Sequence, residues 1–178
     1  MDIYEPQEDS FFIKEYIKEY ATGNVLDMGT GSGILAEEAA KYAKSVIAVD
    51  INPKAIEHCK KNINNPKILF VQSNLFQVFE LGLIHRTFDL IIFNPPYLPK
   101  DKYPDVALDG GKEGYEVIEK FLRKAKTFLN PKGKILILFS SLSQKQKIDN
   151  MLKHMQFKFE QIARKKLAFE ELYLYLIT

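Results

Sequence analysis

The stretch FDLIIFNPPYLP, residues 88–99, decides both the fold and the chemistry of this chain. It opens with an almost unbroken apolar run from Phe88 to Phe93, which predicts a central parallel strand covered on both faces. The run ends abruptly at Asn94, because the two prolines that follow cannot donate to a ladder and each fixes φ. Ligands bind at the carboxyl ends of strands in open α/β sheets, so this turn is the predicted active site.

The turn offers two hydrogen-bond acceptors on rigid backbone, the side-chain carbonyl of Asn94 and the backbone carbonyl of Pro95. Together they can accept both hydrogens of a planar –NH2 group and favour positive charge on its nitrogen during attack. Pro96 stiffens the turn, and the ring of Tyr97 can pack on a flat amide or base. We therefore predict that Asn94, Pro95, Pro96 and Tyr97 are catalytic. The alternative is a turn in which Asn94 caps its own backbone and Tyr97 merely packs.

A glycine-rich loop, DMGTGSG at residues 27–33, lies between a predicted strand and a predicted helix. Gly29, Gly31 and Gly33 allow a tight turn and the close approach of a ligand, and the helix N-terminus presents free N–H groups to an anion. Asp50 ends the next strand, at the spacing at which a carboxylate reaches a ribose diol. The loop therefore predicts a site for a nucleoside with an anionic group at its other end. The alternative is a structural βαβ turn with a surface aspartate.

The composition narrows the class of protein. The chain has 178 residues, of which 46% are hydrophobic and 27% charged. No stretch has the composition of a domain boundary, so we expect one domain over residues 1–178. The first 22 residues of this domain are expected to form an N-terminal motif and helix. The net charge of +2 gives no strong electrostatic case for nucleic acid. A single cysteine, Cys59, excludes an internal disulfide, fits a reducing cytoplasm and is predicted to lie in the core. The acidic start is not a signal peptide and the apolar runs are too short to span a bilayer, so we expect a cytoplasmic protein.

Strands and helices alternate along the chain. Helices are predicted over about 9–20 (with Asp9 or Ser10 as its N-cap), 34–43, 53–62, 116–129 and 144–155, and strands over about 25–28, 46–49, 68–71, 88–93 and 134–139, followed by an antiparallel pair at 157–162 and 172–177. The connection over residues 98–114 is long enough to predict a lid or a substrate wall. The turn after the third strand carries Asn74, which could contact a base; a purely turn-forming asparagine is the alternative.

These motifs are together similar to those of the short, single-domain HemK-type methyltransferases of archaea and eukaryotes, which methylate the glutamine of the GGQ motif in class I translation termination factors. The resemblance spans the chain and is carried by YEPQEDS at 4–10, the glycine loop, DINP at 50–53, NPPY at 94–97 and LDGG at 108–111. It implies an α/β class I methyltransferase fold, a Rossmann-like three-layer sandwich whose seven-stranded, mostly parallel sheet has its last strand antiparallel.

The resemblance also implies a cofactor, S-adenosyl-L-methionine, with S-adenosyl-L-homocysteine as product. Residues 8–10 would lie near its methionine end, the glycine loop would cradle that end, Asp50 would hold the ribose and Asn74 would lie against the adenine. The implied cofactor-binding residues are Glu8, Asp9, Ser10, Asp27, Gly29, Thr30, Gly31, Gly33, Asp50, Ile51, Asn74, Leu75 and Asn94, and no metal site is implied. One departure is that position 74 is usually acidic in the family.

Short members of this family work with a small zinc-binding activator subunit that covers apolar surface. The predicted edge strand over residues 68–71 is the candidate docking surface, and a short edge strand that needs no cover is the alternative.

Three functions remain open from the sequence. The first is N5-methylation of the GGQ glutamine in a termination factor. The second is an adenine-N6 or guanine-N2 amino-methyltransferase of nucleic acid, since the same grip fits a flipped base amine; the near-neutral charge and the lack of room for a target-recognition domain oppose it. The third is a binding module without catalysis, which the intact NPPY motif opposes.

Overall fold

The computed structural model describes residues 5–96, 111 and 113–178. Its strands are β1 (Asn24–Met28), β2 (Ser45–Asp50), β3 (Ile68–Gln72), β4 (Phe88–Phe93), β5 (Leu129–Ser140), β6 (Phe159–Lys166) and β7 (Glu171–Ile177). Its helices are α1 (Glu8–Tyr20), α2 (Ile34–Ala40), α3 (Pro53–Asn62), α4 (Gln77–Glu80), α5 (Glu116–Ala125) and α6 (Lys145–His154), with short 3-10 turns at Lys126–Phe128 and Ser141–Ser143.

The strands form one seven-stranded sheet in the order β3-β2-β1-β4-β5-β7-β6. Strands β1 to β5 run parallel, and the last strand, β7, is antiparallel to both of its neighbours, as expected. The chain builds outward from β1 in one direction through β2 and β3, and then returns to β4 on the other side of β1. The strand order therefore reverses between β1 and β4, which places a topological switch point there.

Two apolar clusters cover the two faces of the sheet. One packs α1, α2 and α3 on the sheet, and the other packs α4, α5 and α6 on the opposite face. In β4, Leu90 and Ile92 enter the first cluster, whereas Ile91 and Phe93 enter the second. The three-layer sandwich and the prediction of a central strand covered on both faces are thus confirmed.

Several predicted boundaries are wrong. The fourth predicted helix ends at Ala125, and β5 already begins at Leu129, because Pro131 cannot continue a helix while the extended backbone before it pairs Leu129 with Phe88. Helix α1 begins at Glu8 after Gln7, so neither Asp9 nor Ser10 is its N-cap. Helix α4 has four residues, too few to show a helical period, and β6 begins two residues later than predicted and continues four residues further.

Part of the sequence interpretation falls outside the described residues. Tyr97 and almost all of the predicted lid, residues 97–110 and 112, belong to this part. Within the ranges that are described, no helix combines the length and apolarity needed to cross a membrane, and no three His, Cys, Asp or Glu side chains are grouped as metal ligands would be.

Candidate active site

A cavity of about 230 Å³ lies at the carboxyl ends of β1 to β4, beside the switch point. Its wall contains most of the residues that the sequence singles out: Ser10, Gly29, Thr30, Gly31, Asp50, Ile51, Asn74, Leu75, Asn94 and Pro96. Of the predicted residues that the structure describes, five do not line it: Glu8, Asp9, Asp27, Gly33 and Pro95. Residues from positions 10 to 96 are therefore brought to one cleft, as expected where parallel strands share their carboxyl ends at one edge of a sheet.

The glycine loop adopts the tight turn that its composition predicts. Gly29, Gly31 and Gly33 all have positive φ, at 69°, 52° and 86°, where side chains with a Cβ are strained. At Gly33 a Cβ would also lie 2.4 Å from Cδ1 of Ile63. The absence of a side chain at Gly33 thus allows helix α3 and Ile63 to pack closely against the loop.

Asp50 ties this loop to the end of β2. Its Oδ2 accepts a hydrogen bond from the backbone N–H of Gly31 at 2.8 Å, and its Oδ1 accepts one from the backbone N–H of Asn52 at 2.8 Å. Thr30 adds a second tie, because its backbone N–H donates to the carbonyl of Val49 at 2.9 Å. Burial raises the pKa of the Asp50 carboxyl, and the backbone N–H groups oppose that effect. Asp50 therefore presents a fixed carboxylate edge to the cavity.

Asp27 lies beneath the loop and does not line the cavity. The side chain is fully buried, and its Oδ2 accepts a hydrogen bond from the Thr30 hydroxyl at 2.6 Å. Burial, with the nearby Asp50 charge adding to it, raises the pKa of Asp27 from 3.8 to about 7, although the Thr30 hydroxyl opposes this. Asp27 thus shapes the loop through Thr30 and carries a proton that is easily lost near neutral pH.

We expect the stability of the unliganded protein to fall as pH rises towards 7, and the Asp27→Asn variant to lose this component. Between about pH 4 and pH 7, folded Asp27 holds a proton that the unfolded chain has released, so raising the pH favours unfolding. At 1.36 kcal/mol per pKa unit, the full effect is on the order of 4 kcal/mol. Urea unfolding at pH 5, 6, 7 and 8 measures it, and equal pH slopes for the two proteins would contradict it.

The turn after β3 is stabilised by the side chain of Ser73. The Ser73 hydroxyl donates to the Leu75 carbonyl at 2.9 Å and accepts from the Val78 N–H at 3.0 Å. Leu75 has φ of 49°, which is rare for a residue with a Cβ. This turn leaves Asn74 exposed on the cavity wall, where its carboxamide can donate and accept.

Asn94 directly follows β4 and is joined to the first turn of α1. Its Nδ2 donates to Oδ2 of Asp9 at 3.0 Å, while Oδ1 of Asp9 accepts the backbone N–H of Ser10 at 2.6 Å. The other end of the carboxamide, Oδ1 of Asn94, is buried and has no hydrogen-bond partner among the described residues. A buried acceptor of this kind is rare and calls for an explanation. Asn94 thus brings to the site an acceptor oxygen that has no donor among the described residues.

The remaining predicted residues differ in their exposure to solvent. Glu8 is exposed and Pro95 is buried behind the wall, whereas Pro96 lies on it. Cys59 is buried, and burial raises the pKa of its thiol to about 12, so the prediction of a core cysteine is confirmed.

Sequence reasoning assigned no role in the site to several other wall residues, among them Val117 and Lys120 on α5. Their spacing of three places them on one face of a helix, but nothing in the sequence shows that this face turns towards the cavity.

Comparison with known proteins agrees with this geometry. The family model for the methyltransferase small domain matches residues 8–169. A Methanocaldococcus jannaschii protein, provisionally named as a protein N5-glutamine methyltransferase, is 39% identical over 180 residues, which cover 96% of this chain and 89% of that protein. The release factor glutamine methyltransferase of Rhodopirellula baltica is 33% identical over 147 residues, covering 73% of this chain and 49% of that longer protein.

A solved structure shares the fold over the full length. A chain of the E. cuniculi Mtq2–Trm112 complex, described as responsible for methylation of the eRF1 translation termination factor, superposes with a TM-score of 0.79 at 24% identity, covering 99% of this chain and 98% of that one. The matched family model, the full-length relative and the cleft at the switch point agree, and the resemblance to HemK-type enzymes is confirmed. This chain belongs to the methyltransferase small domain family.

Proposed function

We propose that this protein transfers a methyl group from S-adenosyl-L-methionine to the side-chain nitrogen of a protein glutamine, and that its substrate is the GGQ glutamine of a class I translation termination factor. The observation that carries the proposal is the buried Oδ1 of Asn94, an acceptor without a partner in the described structure, at the edge of a cleft suited to a nucleoside. A primary amide is the protein side-chain group that offers two N–H donors on a planar nitrogen and no charge.

The cleft fits this cofactor on structural grounds. Asp50 presents a carboxylate edge for a ribose diol. Gly29 and Gly31 have positive φ, which glycine adopts without strain, and their lack of side chains lets a ligand approach the backbone closely. Asn74 lies on the same wall for the adenine. S-adenosyl-L-methionine supplies an electrophilic methyl group on a sulfonium. We assign Ser10, the glycine loop, Asp50, Ile51, Asn74 and Leu75 to cofactor binding, and Asp27 to supporting that loop.

The protein's own groups act by position and hydrogen bonding. Oδ1 of Asn94 and the carbonyl of Pro95 accept the two amide hydrogens, which orients the nitrogen and favours positive charge on it. A substrate nitrogen held in this way would accept the methyl group that the bound cofactor supplies, with the electron pair of the broken carbon–sulfur bond kept on sulfur, and one N–H proton would leave to solvent. Tyr97, which lies outside the described residues, is proposed to pack on the amide plane.

The names of the relatives support the proposed methylation more widely than they support the proposed substrate. The full-length archaeal relative carries a glutamine methyltransferase name, and the bacterial relative and the E. cuniculi complex carry release factor or termination factor names. Methylation is therefore common to all three descriptions, and a termination factor is named in two of them.

The test is methyl transfer from labelled cofactor to a purified archaeal or eukaryotic-type termination factor, compared with its GGQ→GGN variant. Label on the wild-type factor and none on the variant is the expected result. Label on RNA or DNA with neither factor labelled would overturn the proposal in favour of a base-amine methyltransferase, and no label on any substrate, with or without a Trm112-type subunit, would favour a binding module.

We further propose that a small zinc-binding activator subunit docks on β3. This strand lies at one edge of the sheet, so its outer backbone groups are available to a further strand. Leu69 on β3 is 52% exposed and Ile51 nearby on the wall is 46% exposed. The E. cuniculi neighbour is itself described as a two-protein complex. An apolar edge of this kind favours a partner that adds a strand and covers the leucine.

The Leu69→Arg variant is expected to lose co-purification with a co-expressed Trm112-type subunit. A charged side chain at the centre of the contact is costly to bury without a partner. Phe169→Arg is the matched control, because Phe169 is 95% exposed in the turn between β6 and β7 at the opposite edge. Equal retention of the subunit by both variants would contradict docking at β3.

A further inference from the structure

Asn94 must present its oxygen, not its nitrogen, to a substrate –NH2 group, and nothing in an asparagine itself decides this. The carboxamide has nearly the same shape after a half-turn, which exchanges an acceptor for two donors. With the nitrogen facing the substrate, donors would meet donors and the amide could not be gripped. The orientation of Asn94 therefore has to be set from its other side.

We infer that Asp9 is a positioning residue that holds the Asn94 carboxamide with its oxygen towards the substrate. This inference rests on the proposed function, because it takes the substrate to be an –NH2 group. An ionised carboxylate can only accept hydrogen bonds, so the group that faces Oδ2 of Asp9 at 3.0 Å has to be the nitrogen of Asn94. The oxygen of Asn94 is thereby turned away from Asp9 and is the acceptor left without a partner in the described part of the chain.

Asp9 is itself held in place. Its side chain is 4% exposed, and Oδ1 accepts the backbone N–H of Ser10 and, at 3.3 Å, the Ser10 hydroxyl. It lies in the first turn of the 13-residue helix α1, where the helix dipole favours a negative charge. Asp9 does not line the cavity. These surroundings suit a group that acts through Asn94 better than a group that contacts the cofactor.

The charge of Asp9 also strengthens the acceptor. A hydrogen bond from Nδ2 of Asn94 to a carboxylate polarises the amide and increases the negative charge on Oδ1. That oxygen then stabilises the positive charge that develops on the substrate nitrogen during attack. Asp9 therefore influences the reaction without touching the reacting atoms.

An asparagine at position 9 keeps the shape but cannot make both contacts. Oδ1 and Oδ2 of Asp9 each accept, one from Ser10 and one from Asn94. In Asp9→Asn, one of the two atoms becomes an –NH2 donor, which either opposes the Ser10 N–H or forces the Asn94 amide to turn over. We expect kcat to fall about ten- to a hundredfold, while KM and the affinity for the cofactor change less than about threefold.

The exchanged pair, Asp9→Asn with Asn94→Asp, restores the polarity of the contact. The carboxamide now on α1 can accept from Ser10 and donate to one oxygen of the carboxylate now after β4, whose other oxygen is left to accept from the substrate. Asn94→Asp alone places two carboxylates in contact and should be the least active protein. We expect the exchanged pair to recover at least about tenfold over that single variant; activity no higher than the lower of the two single variants would overturn the inference.

A spectroscopic measurement decides the inference without any substrate. The side-chain amide ¹⁵N–¹H signals of Asn94, assigned by their loss in Asn94→Ala, are expected to be protected from solvent exchange in the wild type and shifted in Asp9→Asn. Glu15→Gln is the matched control, since Glu15 is an exposed carboxylate on the same helix and should leave the signals unchanged. Unchanged signals in Asp9→Asn, or a loss of cofactor affinity equal to the loss of turnover, would overturn the inference. Absence of glutamine methylation by the wild type would instead overturn the proposed function alone.

Discussion

Replacing Asn94 by alanine is expected to lower kcat for glutamine methylation by about a hundred- to a thousandfold, which corresponds to the loss of one preorganised acceptor in a transition state that develops charge. The cofactor affinity should change less than about fivefold, because Asn94 occupies only one part of the cavity wall. Methyl transfer under single turnover, together with cofactor binding by calorimetry, separates the two quantities.

The matched control for this variant is Asn130→Ala. Asn130 also donates from Nδ2 to a carboxylate, Asp89, at 2.8 Å, but it does so at the start of β5, at the opposite end of the sheet. This variant should lose stability and keep its turnover at a temperature where it is folded. If Asn94→Ala lost cofactor affinity by the same factor as turnover, Asn94 would be a cofactor ligand and not a substrate grip.

Replacing Asp50 by alanine is expected to weaken cofactor binding by about a hundredfold or more. Two effects combine, because the variant lacks the carboxylate proposed for the ribose and also releases the N–H groups of Gly31 and Asn52. The glycine loop then loses one of its hydrogen bonds to the end of β2, so the backbone that we propose for the methionine end is less ordered. Calorimetry with S-adenosyl-L-homocysteine measures the loss directly.

Asp89→Ala is the control for Asp50. Asp89 accepts from the backbone N–H of Asn24 at 2.7 Å, so it ties neighbouring strands in the same manner as Asp50, but at their amino ends. Its replacement should lower the unfolding temperature while cofactor affinity in the folded protein stays within about threefold. A similar loss of affinity in both variants would show that the effect of Asp50 is one of stability alone.

The parts of the site that depend on local sequence could be predicted. The apolar run of β4 followed by two prolines is typical of a buried strand that stops at a definite residue, and the structure confirms it. The glycine loop has the positive φ values that its three glycines allow. In each case the determining interactions join residues close in sequence.

The positions that the sequence could not place depend on contacts between distant residues. Glu8 and Asp9 are adjacent in the sequence, yet Glu8 faces solvent and Asp9 is buried against Asn94. Asp27 lies under the loop because β1 is covered on both faces, which leaves its carboxyl in the interior. Lys120 reaches the wall only because α5 packs beside the carboxyl end of β4. None of these positions has a local pattern that distinguishes it.

The order of the groups that follow the strands can be read from the sequence alone: a glycine turn after β1, an acid after β2 and an amide after β4. Parallel strands bring their carboxyl ends to one edge, so these groups had to meet once the sheet formed. The orientation of the Asn94 amide depends on the folded structure, because the contact that fixes it joins Asp9 and Asn94 across 85 positions of sequence. A side chain with two nearly equivalent orientations takes its polarity from its neighbour in space, and that neighbour is supplied by the packing of α1 against the body of the fold.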